Sequence, residues 1–171
     1  RQIEIEKDLE TFHEWQNQPR VYDLWDLNKS IDELRQYLQK TLQDPHTIPM
    51  ILSFDDEPAG YFEVYWAADD RIAPYYDVES YDRGFHFLIG NKKHLGRAKT
   101  RAAVSSVMHM IFLDEVLTQR IVAEPRSDNK KVLKYAELVP GWKFIKEFDF
   151  PHKRAALLMA SRSDYFNGGA L

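Results

Sequence analysis

Lys92, Lys93, His94, Arg97, Lys99 and Arg101 crowd one stretch around a single glycine, Gly96. A helix that opens inside such a turn points free backbone N–H groups and its positive dipole end at whatever sits there. Phosphate is the natural guest. A solvated basic turn before an ordinary helix accounts for the same residues equally well. Just upstream, Gly84-Phe-His-Phe-Leu-Ile-Gly90 places one polar residue, His86, inside an apolar run. A neutral imidazole suits general-base chemistry near neutral pH. A histidine hydrogen-bonded within a core is the competing reading. Ser127-Asp-Asn129 has the residue types of a helix cap. Metal chemistry is not indicated. There is no cysteine, and His13, His46, His94, His109 and His152 show no ligand spacing with acids.

The elements that must position these groups follow from periodicity. Residues 1–7 alternate as a short strand, and Asp8 caps a helix through Phe12 and Trp15. Pro19 breaks helicity before a loop that carries Trp25. Ser30 and Glu33 form a capping-box signature ahead of Ile31, Leu34, Leu38 and Leu42 at helical spacing. Residues 49–54 and 61–66 read as an antiparallel hairpin around a turn-rich spacer. Residues 67–83 form a long acidic stretch that is either solvated or functional. A strand over 85–89, a helix through Phe112, a strand at 120–124, a helix over 130–138 and two strands at 142–150 and 154–160 complete the order. The sequence of elements is β, α, α, β, β, β, α, β, α, β, β. That interleaving predicts one α/β (α+β) domain over 1–171, with a mixed sheet flanked by helices.

Composition sets the outer bounds. With 171 residues, 44% hydrophobic and 29% charged, the chain can bury one core. Its formal net charge of −4 argues against a general nucleic-acid binder. The local basic clusters at Lys92–Arg101 and Arg126–Lys134 suit a small polyanion better. The lack of cysteine excludes a disulfide framework and makes a reducing cytoplasm the expected location. No apolar run reaches membrane-spanning length, so no membrane partner is expected.

Lys93-His-Leu-Gly-Arg-Ala98, directly after a strand, resembles the acyl-CoA motif of GNAT acyltransferases, with Lys93 in place of the usual glutamine or arginine. Gly84–Gly90, Val122-Ala-Glu-Pro-Arg-Ser-Asp-Asn129, Phe148–Leu157 and the Trp15–Trp25 opening segment are similar to the hydroxamate-siderophore branch of that family. This branch includes N6-hydroxylysine acetyltransferases and enzymes acting on N-hydroxylated diamines. The resemblance covers residues 1–166.

The resemblance implies a GNAT-like, mostly antiparallel mixed sheet and an acyl-CoA-dependent N-acyltransferase. The co-substrate would be acetyl-CoA, succinyl-CoA or another short acyl-CoA, without a metal. The acceptor would be N6-hydroxylysine, N-hydroxycadaverine or N-hydroxyputrescine. A siderophore synthetase, in trans or fused, is the macromolecular partner the branch suggests. By the same resemblance His86 and Asp128 are catalytic. It also implies that Phe87, Leu88, Ile89, Lys93, His94, Leu95, Gly96, Arg97, Ala98, Lys99, Thr100 and Asn129 would bind the cofactor. Trp25, Glu63, Trp66 and Asp77 are candidates, by position alone, to receive the acceptor's distal ammonium. One departure stands out: where many GNAT enzymes carry a tyrosine acid, this chain has Ala136, with Tyr135 one residue earlier. Acylation of an ordinary amine (an aminoglycoside, a polyamine or a protein N-terminus) and simple acyl-CoA binding are the alternatives.

Overall fold

The strand expected over 1–7 is a helix from its fifth residue onward. In the computed structural model, which describes residues 1–168, α1 spans Ile5–Gln16. The Asp8 carboxylate explains the switch. It accepts the Glu4 N–H at 2.8 Å and both arms of the Arg1 guanidinium at 2.7 Å. Asp8 therefore ties down the first turn from within it, rather than standing ahead of the helix as its cap. Only the extended residues before that turn keep strand-like pairing, through a bridge from Gln2 to Met50. Pro19 likewise opens α2 (Pro19–Trp25) at its first turn, where a missing N–H costs nothing.

Ser30 caps α3 (Ile31–Gln43) with the full reciprocal box expected from Ser30 and Glu33. The hairpin of β1 (Thr47–Phe54) and β2 (Glu57–Trp66) is tighter than its sequence suggests. Asp55 and Asp56 both adopt positive φ, 48° and 64°, as a two-residue hairpin turn requires. β3 (Arg83–Ile89), α4 (Arg97–Asp114), β4 (Arg120–Ala123), α5 (Lys130–Ala136), β5 (Trp142–Asp149) and β6 (Arg154–Ser161) lie where the periodicity puts them. A short α6 (Arg162–Asn167), capped by Ser161, follows without having been anticipated.

The six strands form one sheet in the order β1-β2-β3-β4-β6-β5. β3 and β4 are parallel, while β4–β6 and β5–β6 are antiparallel. The parallel register joins Arg83 to Ile121 and Gly84 to Val122, well before β3 ends at Ile89.

The chain divides into two compact units, 1–64 with 86–95, and 65–85 with 96–171. The first is built on Phe12, Leu34, Leu38, Tyr61 and Leu88, with Ile3, Trp15 and Ile51 around them. Leu34 and Leu38 are wholly buried. Each such side chain contributes roughly 1.5–3 kcal/mol by leaving water. The second unit has a core of Tyr65, Ile72, Val122, Phe150, Ala155 and Leu157.

The acidic stretch after β2 is not simply solvated. Asp82 is buried and accepts from Arg120 at 2.6 and 2.9 Å, from the Tyr76 hydroxyl at 2.9 Å and from the Glu79 N–H at 3.0 Å. Its carboxylate closes the loop onto the start of β4.

Candidate functional site

Alternation along β2 puts Tyr61 and Glu63 on one face of that strand. Helix α3 brings Tyr37 to the same place. The Tyr61 hydroxyl donates to Glu63 Oε1 at 2.7 Å, and the Tyr37 hydroxyl donates to the same oxygen. The other oxygen, Oε2, lies 3.2 Å from His86 Nδ1. The Glu63 side chain is 7% exposed and that of His86 is 26% exposed, so the carboxylate is inside while the imidazole reaches the surface. The Trp25 indole meets both the Tyr61 ring and the imidazole edge-on, at 5.8 and 6.1 Å between centroids.

Burial by itself would push the Glu63 carboxyl up. His86, through its hydrogen bond and charge, and then the two tyrosine hydroxyls outweigh that penalty and hold it below its ordinary value. Burial, reinforced by the Glu63 charge, drives both tyrosines well above theirs. The cluster therefore holds an ionised carboxylate and two protonated phenols at neutral pH.

Strand β3 ends in a clamp. The Arg20 guanidinium donates to the carbonyls of Ile89 at 2.7 Å and Gly90 at 2.5 Å. The Gly90 and Asn91 N–H groups both bond to Ala59 O, at 2.9 and 3.0 Å. A Cβ on Gly90 would stand 2.0 Å from the Trp15 indole, so this position admits only glycine. Trp15 and Arg20, from the opening segment, thus fix where the strand stops. Along the strand Phe87 is half-buried, while Leu88 and Ile89 are buried.

Beyond it a 3-10 turn over Lys92–His94 is capped by Asn91. Lys93 Nζ reaches Glu57 Oε1 and His94 Nε2 reaches Oε2, each at 2.9 Å. These two partners, Lys93 first, lower the Glu57 carboxyl to about 2. His94 is buried and stacked on Phe54, which makes it part of the turn's frame. Lys93 and Leu95 are exposed.

Gly96 caps α4 with φ 127°, a conformation L side chains rarely adopt, and a Cβ built there meets nothing within 4 Å. Arg97, Ala98 and Lys99 form the exposed first turn, and the Thr100 N–H starts the helical ladder on Gly96 O at 2.9 Å. An 18-residue helix opening beside empty space is chemically apt for an anion.

In the second unit, segment 124–129 runs beside the start of β6. Arg126 bridges Ala155, Ser127 N–H bonds Arg154 O at 3.0 Å, and Ala156 N–H bonds Pro125 O at 2.9 Å. Lys153 Nζ donates to Glu124 O at 2.7 Å and stands 3.7 Å from the Glu124 carboxylate, which is wholly buried and accepts from Tyr65. This pairing explains why a lysine sits in the Pro151-His-Lys-Arg154 turn.

Asn129, not Asp128, caps α5, accepting the Val132 N–H at 3.2 Å. Asp128 is exposed and pairs with Arg126 through both oxygens, at 2.7 and 3.0 Å. Trp66 lies beneath the Arg83 guanidinium at 4.0 Å, and Asp77 is exposed with its carbonyl bonded to Arg120. Among the expected site residues, the structure brings Trp25, Glu63 and His86 together.

Tyr37, Arg20 and Glu57 were missed by sequence. Each acts across a long stretch of chain, and only Tyr61, two residues from Glu63, left a local signal. Among the described residues no group of His, Cys, Asp or Glu is placed to hold a metal, and no helix is long and apolar enough to cross a membrane.

Residues 4–150 match the acetyltransferase (GNAT) domain family. The chain belongs to the GNAT family. A Schizosaccharomyces pombe protein is 44% identical over 166 residues, covering 96% of this chain and 49% of that protein. The Escherichia coli N(6)-hydroxylysine O-acetyltransferase is 41% identical over 159 residues, 93% of this chain and 50% of its own length. The N(5)-hydroxyornithine:cis-anhydromevalonyl coenzyme A-N(5)-transacylase of Beauveria bassiana is 42% identical over 158 residues, 92% of this chain and 34% of that enzyme. The chain thus spans about half or less of the curated relatives it matches.

An uncharacterised Bacillus halodurans protein superposes with a TM-score of 0.93 at 30% identity, covering 98% of this chain and 85% of the other. The aminoglycoside acetyltransferase AAC(6')-Ib, solved with coenzyme A, gives 0.86 at 22% identity, covering 98% and 96%, which shows the shared GNAT fold. Ala136, expected where many GNAT enzymes carry a tyrosine acid, is the last residue of α5. Tyr135 is half-buried, with Lys131 Nζ 5.9 Å from its ring centroid.

Proposed function

We propose that this GNAT domain, one functional unit over 1–171, transfers a short acyl group from acyl-CoA to the nitrogen of an N-hydroxylated amine, forming a hydroxamate for siderophore assembly. The observation that carries this reading is His86, an imidazole inside β3 seated on an ionised carboxylate, in a chain whose relatives act on hydroxylysine and hydroxyornithine. The acceptor is N6-hydroxylysine or an N-hydroxydiamine such as N-hydroxycadaverine or N-hydroxyputrescine.

Acetyl-CoA or succinyl-CoA is the donor. The turn Lys93–Gly96 and the first turn of α4, with Arg97, Ala98, Lys99 and Thr100, are assigned to its phosphates. The residues of β3 from Phe87 to Ile89 are assigned to its thioester arm. The open space at Gly96 and the first-turn amides supply what a pyrophosphate needs. A backbone N–H late in β3 is assigned to the acyl oxygen, as an oxyanion-type donor.

The chemistry asks little of the protein beyond orientation and one proton transfer. An N-hydroxylated amine is less basic than an alkylamine, so more of it is unprotonated at neutral pH. Its nitrogen bonds to the acyl carbon as the bond to sulfur breaks, and the surplus proton passes to His86 Nε2. A catalytic role for Asp128, cofactor binding by Asn129 and acceptor binding by Trp25, Trp66 and Asp77 belong to the same proposal. The hydroxamate is the building block a siderophore synthetase takes, in trans or as a fused domain. With no cysteine in the chain, we place the reaction in the cytoplasm.

A thiol-release assay crossing acetyl- and succinyl-CoA with N6-hydroxylysine, hydroxylated diamines and their plain counterparts tests the reading. Hydroxylated acceptors should release thiol at least tenfold faster, and the product should form the coloured ferric complex of a hydroxamate. Equal rates with plain amines overturn the acceptor. A product without ferric colour indicates acylation on oxygen instead.

A further inference from the structure

We infer that Glu63 is a positioning residue for His86, fixing which ring nitrogen takes the proton, and is not a ligand for the acceptor's ammonium. The inference rests on the acyltransfer reading above and deepens it.

Both Glu63 oxygens are engaged within the protein. Oε1 receives the hydroxyls of Tyr37 and Tyr61, and Oε2 faces His86 Nδ1 at 3.2 Å. With the residue only 5% exposed, a cation arriving from outside would have to displace one of these partners. The carboxylate, by contrast, is well built to act on the imidazole. An ionised carboxylate only accepts hydrogen bonds. Nδ1 must therefore carry the ring proton, which leaves the lone pair on Nε2.

The two phenols make this arrangement stiff. Each donates to Oε1, and the Phe12 ring lies against both, stacked on Tyr37 at 6.3 Å and tilted against Tyr61 at 4.7 Å. Trp25 lies edge-on to both Tyr61 and His86. Carboxylate rotation is thus blocked by hydrogen bonds on one oxygen, while the imidazole is held by the other. When Nε2 takes up the acceptor's proton, the resulting imidazolium sits beside a full negative charge that is already in place. No group needs to reorganise at that moment.

The test uses Glu63→Gln in the full chain, read in two independent ways. Nitrogen-15 NMR of the His86 ring should show the Nδ1–H tautomer in the parent and a mixture in the variant. Steady-state kinetics with acetyl-CoA and a hydroxylated amine should show kcat reduced on the order of 100-fold, the scale of a compromised general base. Both KM values should stay within twofold.

An unchanged tautomer with unchanged kcat overturns the inference. A raised KM for the amine at constant kcat also overturns it, because Glu63 then binds substrate. A parent enzyme inactive toward every hydroxylated amine, but with the tautomer still responding to Glu63→Gln, rejects the acceptor assignment and upholds the Glu63–His86 pairing. Should Glu63→Gln fail to fold, Glu63→Asp keeps the charge but draws the carboxylate back from Nδ1. It should move tautomer and kcat in the same direction by a smaller amount, and no movement in either sinks the idea.

Discussion

The guanidinium of Arg20 holds the carbonyl oxygens of Ile89 and Gly90, the last acceptor of β3 and the first beyond it before the basic turn. One side chain from the second helix thereby sets where the central strand stops and where the turn begins. Hydrogen bonds to a charged group are worth about 1.5–3 kcal/mol. Arg20→Ala should lower stability by about that amount in urea titration. It should also raise KM for acyl-CoA, since the turn loses its anchor. An unchanged urea midpoint would show that Ala59 and the Gln18 amide fix the junction without Arg20.

Gly60 and Gly96 both resist substitution, for different reasons. A Cβ at Gly60 would stand 2.2 Å from Leu88 O, so backbone must move. At Gly96 a Cβ has open space and only φ 127° opposes it. Gly96→Ala should cost on the order of 1–3 kcal/mol, because φ 127° with ψ 157° is backbone that essentially only glycine adopts. Gly60→Ala should cost more, because overpacking against backbone has no flexible partner to yield. Thermal melts of the two variants give the ranking directly.

Lys153 is the counter-charge of a wholly buried Glu124. Removing one member of a buried pair leaves the other uncompensated, at roughly 3–5 kcal/mol. Lys153→Met should fall in that range by chemical denaturation. Adding Glu124→Gln should recover part of the loss. A Lys153→Met variant as stable as the parent would place the compensation in Tyr65 instead.

The acid limb of stability should carry a modest contribution from Glu57, whose side chain is exposed. Its carboxyl is lowered from an ordinary 4.5 to about 2 by Lys93 and then His94. A lowered folded-state value means the unfolded chain binds the proton first as pH drops. The stabilisation is complete above 4.5 and disappears as pH falls toward about 2. Urea midpoints measured from pH 6 to pH 2 should decline over that window. Glu57→Gln should flatten the decline, and Glu63, lowered in the same direction, accounts for part of what remains.

Asp128 and Asn129 separate chemistry from capping. Asn129→Ala removes the α5 cap and should cost about 1 kcal/mol. Asp128→Asn, at an exposed pair with Arg126, should leave the melting temperature unchanged. If Asp128 takes part in acyl transfer, kcat falls in that variant without loss of stability. Full activity removes it from the reaction.

The local signals in the chain were dependable wherever one segment decides its own conformation. The Ser30–Glu33 box, the strand over 85–89, the glycine-capped helix after Gly96 and the mixed sheet were all legible, because periodicity and capping act within a few residues. The misreadings at 1–7 and at Pro19 share one cause. Alternation and a proline were taken at face value, whereas Asp8 bonding back to Glu4 and the tolerance of a helix's first turn for proline reversed both.

Sequence by itself determined the family, the fold and the placement of His86 within β3. It could name Trp25, Glu63 and His86 without saying what joins them. Only the tertiary structure decided that Glu63 turns inward to Tyr37, Tyr61 and His86, and that Arg20 closes the end of β3. A buried carboxylate is defined by the partners that replace its water. Here those partners come from α3, from β2 itself and from β3, too far apart along the chain for any local pattern to record.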